Sequence, residues 1–190
     1  MGATTLIYEG SPDFPDWGRI WGIVEKFKVS VFYTAPTAIR MFKKAGDSWI
    51  AGKGISSLRL LGTVGEPIDS DAWLWYFNVV GGKRCPIIDT WWQTETGGTL
   101  INALPGVGPF IPTVGGRLFP GTSAAIFDEG GKPVKGGVNG YLVLLPPFPP
   151  EISGSMLPIF GACVNINANC CSLKSYLQGA EESIIARRPY

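Results

Sequence analysis

The sequence predicts an α/β protein, with a partial parallel or mixed sheet, flanking helices and then the start of a β subdomain. Three observations carry this. Short β-branched or apolar runs alternate with segments of helical period between residues 3 and 89. That is the pattern of strand–helix–strand units joined by right-handed crossovers. After Gly98 the texture changes, and glycines and prolines crowd residues 105–121. Finally, the chain has 190 residues, 45% of them hydrophobic and 16% charged. This is enough for one domain of ordinary size with a buried core, and it excludes a wholly disordered chain.

Taken in order, Ala3–Tyr8 reads as a short apolar strand. Asp16 is placed to cap a helix in which Trp17, Ile20, Trp21, Val24 and Phe27 recur at helical spacing. Val29–Tyr33 is β-branched and aromatic, hence a strand. Thr34 and Ala35 break it, and Pro36 suits the first turn of a second helix. That helix turns Ile39, Met41 and Phe42 inward and Lys43 and Lys44 outward. Leu58–Thr63 is the next strand. Asp69 or Ser70 then caps a third helix, Asp71–Val80, which Gly81 ends. Pro86–Asp89 is a further strand. Beyond it, Thr122–Phe127 and Tyr141–Leu145 form a hairpin through the turn-rich segment Asp128–Pro133. Residues 146–150, with four prolines around Phe148, form a stiff break. The remaining residues show no clean period; the one expectation there is a helix near Leu173–Ala186.

Composition removes several functions. Histidine is absent, which excludes a Ser-His-Asp triad, a Cys-His dyad and every His-ligated metal site. The net charge is +1, so bulk charge builds no nucleic-acid-binding surface. No apolar run reaches the roughly 20 residues that span a bilayer, and the N-terminus lacks the pattern of a signal peptide. No membrane partner and a cytoplasmic location are therefore expected. Cys85, Cys163, Cys170 and Cys171 read as reduced thiols, because paired zinc-ligand spacing and secretory context are both missing.

Ligands of an open α/β sheet bind beyond the carboxyl ends of its strands. Two segments fall there: Gly62–Pro67, and the ten residues from Asp89 to Gly98. The second holds two indoles, three threonine hydroxyls and two carboxylates, and it ends in paired glycines. Hydroxyls beside glycines suit phosphate oxygens, since glycine allows close backbone approach. Glu95 is an oxygen ligand suited to Mg²⁺. An aromatic loop that merely packs on a neighbouring helix explains the same composition about equally well.

The segment Asp89–Gly98 resembles the adenylate-binding motif of AMP-forming acyl-CoA synthetases, and its double tryptophan resembles the acetyl-CoA synthetases in particular. Gly2–Leu6, Tyr33–Arg40, Leu61–Ile68 and Arg117–Gly121 resemble further segments of that family in the same order. The resemblance runs over about residues 2–150. It implies an acetate–CoA ligase (AMP-forming) that uses ATP/AMP, Mg²⁺ and coenzyme A on acetate or another small carboxylate. It implies that Gly65, Glu66 and Pro67 line the adenine and ribose. Asp89, Thr90, Trp91, Trp92, Gln93 and Thr94 wrap the nucleotide, with the Thr94 hydroxyl on the α-phosphate. Glu95 holds Mg²⁺, and Val64 and Trp92 wall the acyl pocket. It divides the chain into an α/β portion of the adenylate-forming domain at 1–104, a β-subdomain portion at 105–150 and a tail at 151–190 without resemblance.

The sequence also departs from that family. Its phosphate loop with a lysine, its downstream Asp and Arg contacts and its C-terminal lysine domain have no counterpart in residues 1–190. Asp13 stands where the acetyl-CoA synthetases carry an asparagine assigned to coenzyme A. The abrupt stop near residue 151 predicts a frameshifted or truncated reading frame. An internal fragment, inactive alone, is therefore expected. The alternatives are a half-enzyme that needs a companion chain, or a non-catalytic nucleotide-binding or interaction module. Exposed sheet surface in such a fragment favours self-association or pairing with that companion.

Overall fold

The computed structural model describes residues 2–93, 96–134 and 140–145, together with the backbone of 164 and 165. Three strands and three helices alternate first. Helix α1 (Arg19–Phe27) precedes β1 (Val31–Thr34); α2 (Pro36–Ala45) leads to β2 (Leu60–Val64); α3 (Ser70–Trp75) leads to β3 (Ile87–Trp91). The strands pair in parallel in the order β1-β2-β3, with Phe32, Leu61 and Ile87 in register. Two short strands, β4 (Ile101–Asn102) and β5 (Arg117–Leu118), add antiparallel beyond β3. A second sheet holds the hairpin β6 (Ser123–Phe127) and β7 (Tyr141–Leu145), with β8 (Val164–Asn165) antiparallel to β7. This is the mixed α/β architecture that the sequence predicts, and the hairpin is where it was expected.

Strand periodicity decides which side chains meet the helices. Phe32, Leu61 and Ile87 point to one face, and their alternates Val31, Tyr33, Leu60 and Ile88 point to the other. The first face carries the core. Trp21 of α1 and Phe42 of α2 meet edge to face at 5.0 Å between centroids. Trp21 also meets Phe32 at 5.7 Å, and Phe32 meets the buried Tyr76 at 6.3 Å. Ile20, Val24, Ile39, Ala72 and Trp73 complete the layer. All three helices thus share one face of the sheet. A second apolar cluster joins Leu100 and Ile101 to Ala124 and Leu142, linking the two sheets.

Several expectations change in detail. Ala3–Tyr8 forms no strand: it has no pairing partner among the described residues, and Ile7 is 86% exposed. Asp16 does not cap α1; its carboxylate accepts from the Gly18 amide at 2.8 Å, one residue before the helix begins. Met41 is exposed on α2 rather than inward. The third helix is interrupted, because α3 passes at Tyr76–Val80 into a π-helical turn. Of its two candidate caps, Asp69 is the one used, its carboxylate accepting from the Ala72 amide at 2.8 Å. Gly81 does end the turn, and a Cβ there would lie 2.7 Å from the Phe77 carbonyl oxygen. The segment 146–150, Cys163, Cys170, Cys171 and the helix expected near 173–186 lie outside the described residues.

Candidate functional site

The carboxyl ends of β2 and β3 lie side by side, with Thr63 paired to Asp89 and Val64 to Thr90. The two segments singled out from sequence therefore leave the sheet as neighbours. The first is the turn Gly65–Pro67. Gly65 has φ +94, and nothing lies within 4 Å of where a Cβ would sit. The backbone conformation, not crowding, requires glycine there.

Glu66 points back onto the sheet's own helices. Its Oε1 accepts from the Thr37 amide at 2.6 Å and from the Thr37 hydroxyl. Its Oε2 pairs with Arg40 at 3.0 Å, and Arg40 reaches on to Asp69 at 3.3 Å. The carboxylate thus satisfies an orphan amide in the first turn of α2, where the helix dipole favours negative charge. The Thr37 hydroxyl and amide, with Arg40, hold the Glu66 carboxyl below its ordinary range against a smaller opposing effect of burial. Of the expected adenine-side residues, Glu66 is the one whose side chain is already committed.

The second segment is built on a chain of hydroxyls. The Thr63 hydroxyl, fully buried, donates to Asp89 Oδ1 at 2.6 Å. The Thr90 hydroxyl donates to the Thr63 carbonyl at 2.8 Å. Its one proton being spent, it accepts from the Tyr33 hydroxyl at 2.6 Å. The Tyr33 ring lies close against Gly62; a Cβ at Gly62 would fall 2.4 Å from it. Burial pushes the Asp89 carboxyl up, and the Thr63 hydrogen bond only partly offsets this.

Thr96 locks the loop that follows. It is fully buried. Its hydroxyl accepts from the Gln93 amide at 3.0 Å and lies 2.9 Å from the carbonyls of both Gln93 and Gly98. Trp92, the residue after β3, stands 45% exposed, and Trp91 joins the second apolar cluster.

Val64, Gly65, Glu66, Pro67, Asp89, Thr90, Trp91, Trp92 and Gln93 are thus brought to one edge of the sheet. Thr94 and Glu95 lie outside the described residues. Tyr33, Thr63 and Thr96 belong to the same constellation; Thr63 and Thr96 fall inside the two strand-end segments read from sequence, while Tyr33 was given no place in the site. Tyr33 is 57 positions from Thr90, and no local pattern connects them. Among the described residues no group of three or more acidic or cysteine side chains forms a metal cluster, and no helix is long and apolar enough to cross a membrane.

A sheet with parallel strands whose loops pair at its carboxyl edge defines the open α/β class, in which ligands bind beyond the strand ends. The family model described as "AMP-binding enzyme" matches residues 1–147, and the chain belongs to that family. It is 49% identical to acetyl-coenzyme A synthetase of Chlorobaculum tepidum over 148 residues, 78% of this chain and 22% of that protein. It is 52% identical to that of Rhizobium meliloti over 159 residues, 84% of this chain and 24% of the relative. It is 54% identical to that of Allorhizobium ampelinum over 147 residues, 77% and 23% respectively. The chain therefore spans about a quarter of the length of these curated relatives. Among solved structures it resembles the anthranilate CoA ligase AuaEII in complex with anthranoyl-AMP. The TM-score is 0.64 at 25% identity, covering 77% of this chain and 27% of that one.

Proposed function

We propose that this chain supplies the adenylate-facing edge of an AMP-forming acetate–CoA ligase in the cytoplasm. The observation that carries this is the pairing of Val64 with Thr90, which sets the Gly65–Pro67 turn beside the Asp89–Gln93 segment. The strand-end position and the kinship to acetyl-coenzyme A synthetases support the same reading.

In this reading Gly65 and Pro67 present backbone to the adenine and ribose. Glu66 holds the turn against α2 rather than reaching for ligand. Asp89, Thr90, Trp91, Trp92, Gln93 and Thr94 wrap the nucleotide. The Thr94 hydroxyl meets the α-phosphate and Glu95 holds Mg²⁺. Val64 and the exposed indole of Trp92 wall the acyl pocket, where a bulky ring admits acetate and excludes longer chains by volume.

The donor set fits a nucleotide. It offers hydroxyls, an open glycine turn and an aromatic face, and it has little charge of its own. The reaction runs in two halves. The carboxylate of acetate attacks the α-phosphorus of ATP, giving acetyl-adenylate and pyrophosphate. The thiol of coenzyme A then attacks the acyl carbon, and AMP leaves. The residues of this chain bind and orient; they carry no covalent step.

Calorimetric titration with non-hydrolysable acyl-adenylate analogues tests the reading. The acetyl analogue binds and the butyryl analogue binds about tenfold more weakly. Trp92→Ala removes that discrimination. Equal binding of both by the unaltered chain contradicts the acyl assignment, and no binding of either contradicts the whole reading.

A further inference from the structure

We propose that Tyr33 is a positioning residue of the candidate site. Its hydroxyl holds Thr90, and with it the Asp89–Gln93 segment, in the orientation that binds the nucleotide. This role takes its ligand from the adenylate reading; its geometry stands without it.

Packing does not explain where Tyr33 sits. On β1 it is 48% exposed and belongs to neither apolar cluster. A ring half in water gains little from burial, yet the next strand makes room for it. Gly62 of β2 is its partner in register, and glycine weakens the interior of a strand. A Cβ at Gly62 would fall 2.4 Å from the Tyr33 ring, so any other residue there would push the ring aside. Across that gap the Tyr33 hydroxyl reaches Thr90 of β3 at 2.6 Å.

The contact falls where the sheet gives out. On the β2 side, the backbone ladder of β3 ends at the pair Val64 and Thr90. Past it, the chain leaves β3 at Trp92. Thr90 is held there from both sides: its proton goes to the Thr63 carbonyl at 2.8 Å, and its oxygen accepts from Tyr33. A hydroxyl fixed as both donor and acceptor stays in one rotamer. The neighbouring Asp89 is held by the Thr63 hydroxyl at 2.6 Å. Side chains of β1 and β2 thus set the end of β3 from which the loop departs.

Tyr33→Phe removes the hydroxyl and keeps the ring over Gly62. Calorimetric titration of the full chain with the non-hydrolysable acetyl-adenylate analogue should show affinity lowered about fivefold, the effect of one lost hydrogen bond. In a Thr90→Val background the same change should cost nothing further, since both act through one contact. Unchanged affinity in Tyr33→Phe, or losses that add in the double variant, overturn the proposal. Amide exchange reads the role without ligand. Tyr33→Phe should raise exchange of the Gln93 amide, which donates to Thr96. It should leave the Leu61 amide, bonded to the Pro86 carbonyl, as protected as before. A rise at Leu61 as well makes Tyr33 a support of the whole sheet and overturns the proposal. If the unaltered chain binds no analogue, the adenylate reading falls. Exchange then decides the role of Tyr33: a rise confined to Gln93 upholds it, and unchanged exchange overturns it.

Discussion

Three carboxylates near the strand ends respond to pH in opposite senses, and the cause lies in their partners. Hydrogen bonds from Thr37 and the neighbouring Arg40 lower Glu66, while the Ala72 amide, followed by Arg40, lowers Asp69. Each is stabilising when ionised. Their contribution is present above the ordinary values of 4.5 and 3.8 and is lost as pH falls through the lower folded values. Asp89 is raised by burial above 3.8. Between those two values the native state keeps a proton that the unfolded chain has released, so its contribution falls as pH rises through the window. Glu66→Ala is expected to cost about 1 kcal/mol at neutral pH, as loss of a helix-start acceptor does. Solvent screening keeps the Arg40 pair a minor part of that cost. The difference from the unaltered chain should shrink as pH falls below 4.5 in denaturant titrations. Asp89→Asn keeps the acceptor for Thr63 and removes the buried charge, so it should not lower stability at neutral pH. A melt lowered by that change would contradict the account of Asp89. Cys85 is fully buried, and its thiol donates to the Leu58 carbonyl at 3.1 Å. Burial raises its pKa. Peptide mapping after native alkylation should therefore find Cys85 unmodified, and modified once the chain is unfolded.

At the scale of elements, the helices hold through one aromatic layer and the strands through their register. Trp21 is 1% exposed and touches both Phe32 and Phe42. Trp21→Ala should cost about 3–5 kcal/mol in chemical denaturation, because it leaves a cavity between α1, α2 and β1. The β4–β5 pair depends on a glycine. Gly116 has φ +107, and a Cβ there would lie 2.2 Å from the Asn102 carbonyl carbon. Gly116→Ala should accordingly raise amide exchange at Ile101 and Leu118 while leaving β1–β3 protected.

The alternation of strands and helices between α1 and β3 was legible because each element is long enough to show its period, and Pro36 and Asp69 mark two helix starts. What stayed hidden had physical reasons. Strands of two residues, such as β4, carry no period at all. The π-helical turn at Tyr76–Val80 breaks a pattern that reads as one helix. Ala3–Tyr8 has strand-forming residues but nothing to pair with. The strand-end loops were found through their residue types. Their support Tyr33 was not, because its partner Thr90 lies 57 positions away; Thr96 was read with the loop's other hydroxyls as suited to phosphate, and its hydroxyl is instead spent on Gln93 and Gly98.

On the scale of the whole molecule, the five-stranded sheet is packed by helices on one face among the described residues, and the loops of β2 and β3 meet at its carboxyl edge. The helical layer gives it a core, while Val31 and Tyr33 on the other face stay 40% and 48% exposed. In this account an adenylate binds at the strand ends, since the β2 and β3 loops are positioned by the sheet itself. The direct test is the thermal unfolding of the purified chain with and without a non-hydrolysable acetyl-adenylate analogue. At 100 times its dissociation constant the analogue should add about 2.7 kcal/mol to the native state and move a cooperative transition upward. A transition that stays where it is at saturating analogue would contradict the claim that these two loops form an adenylate site.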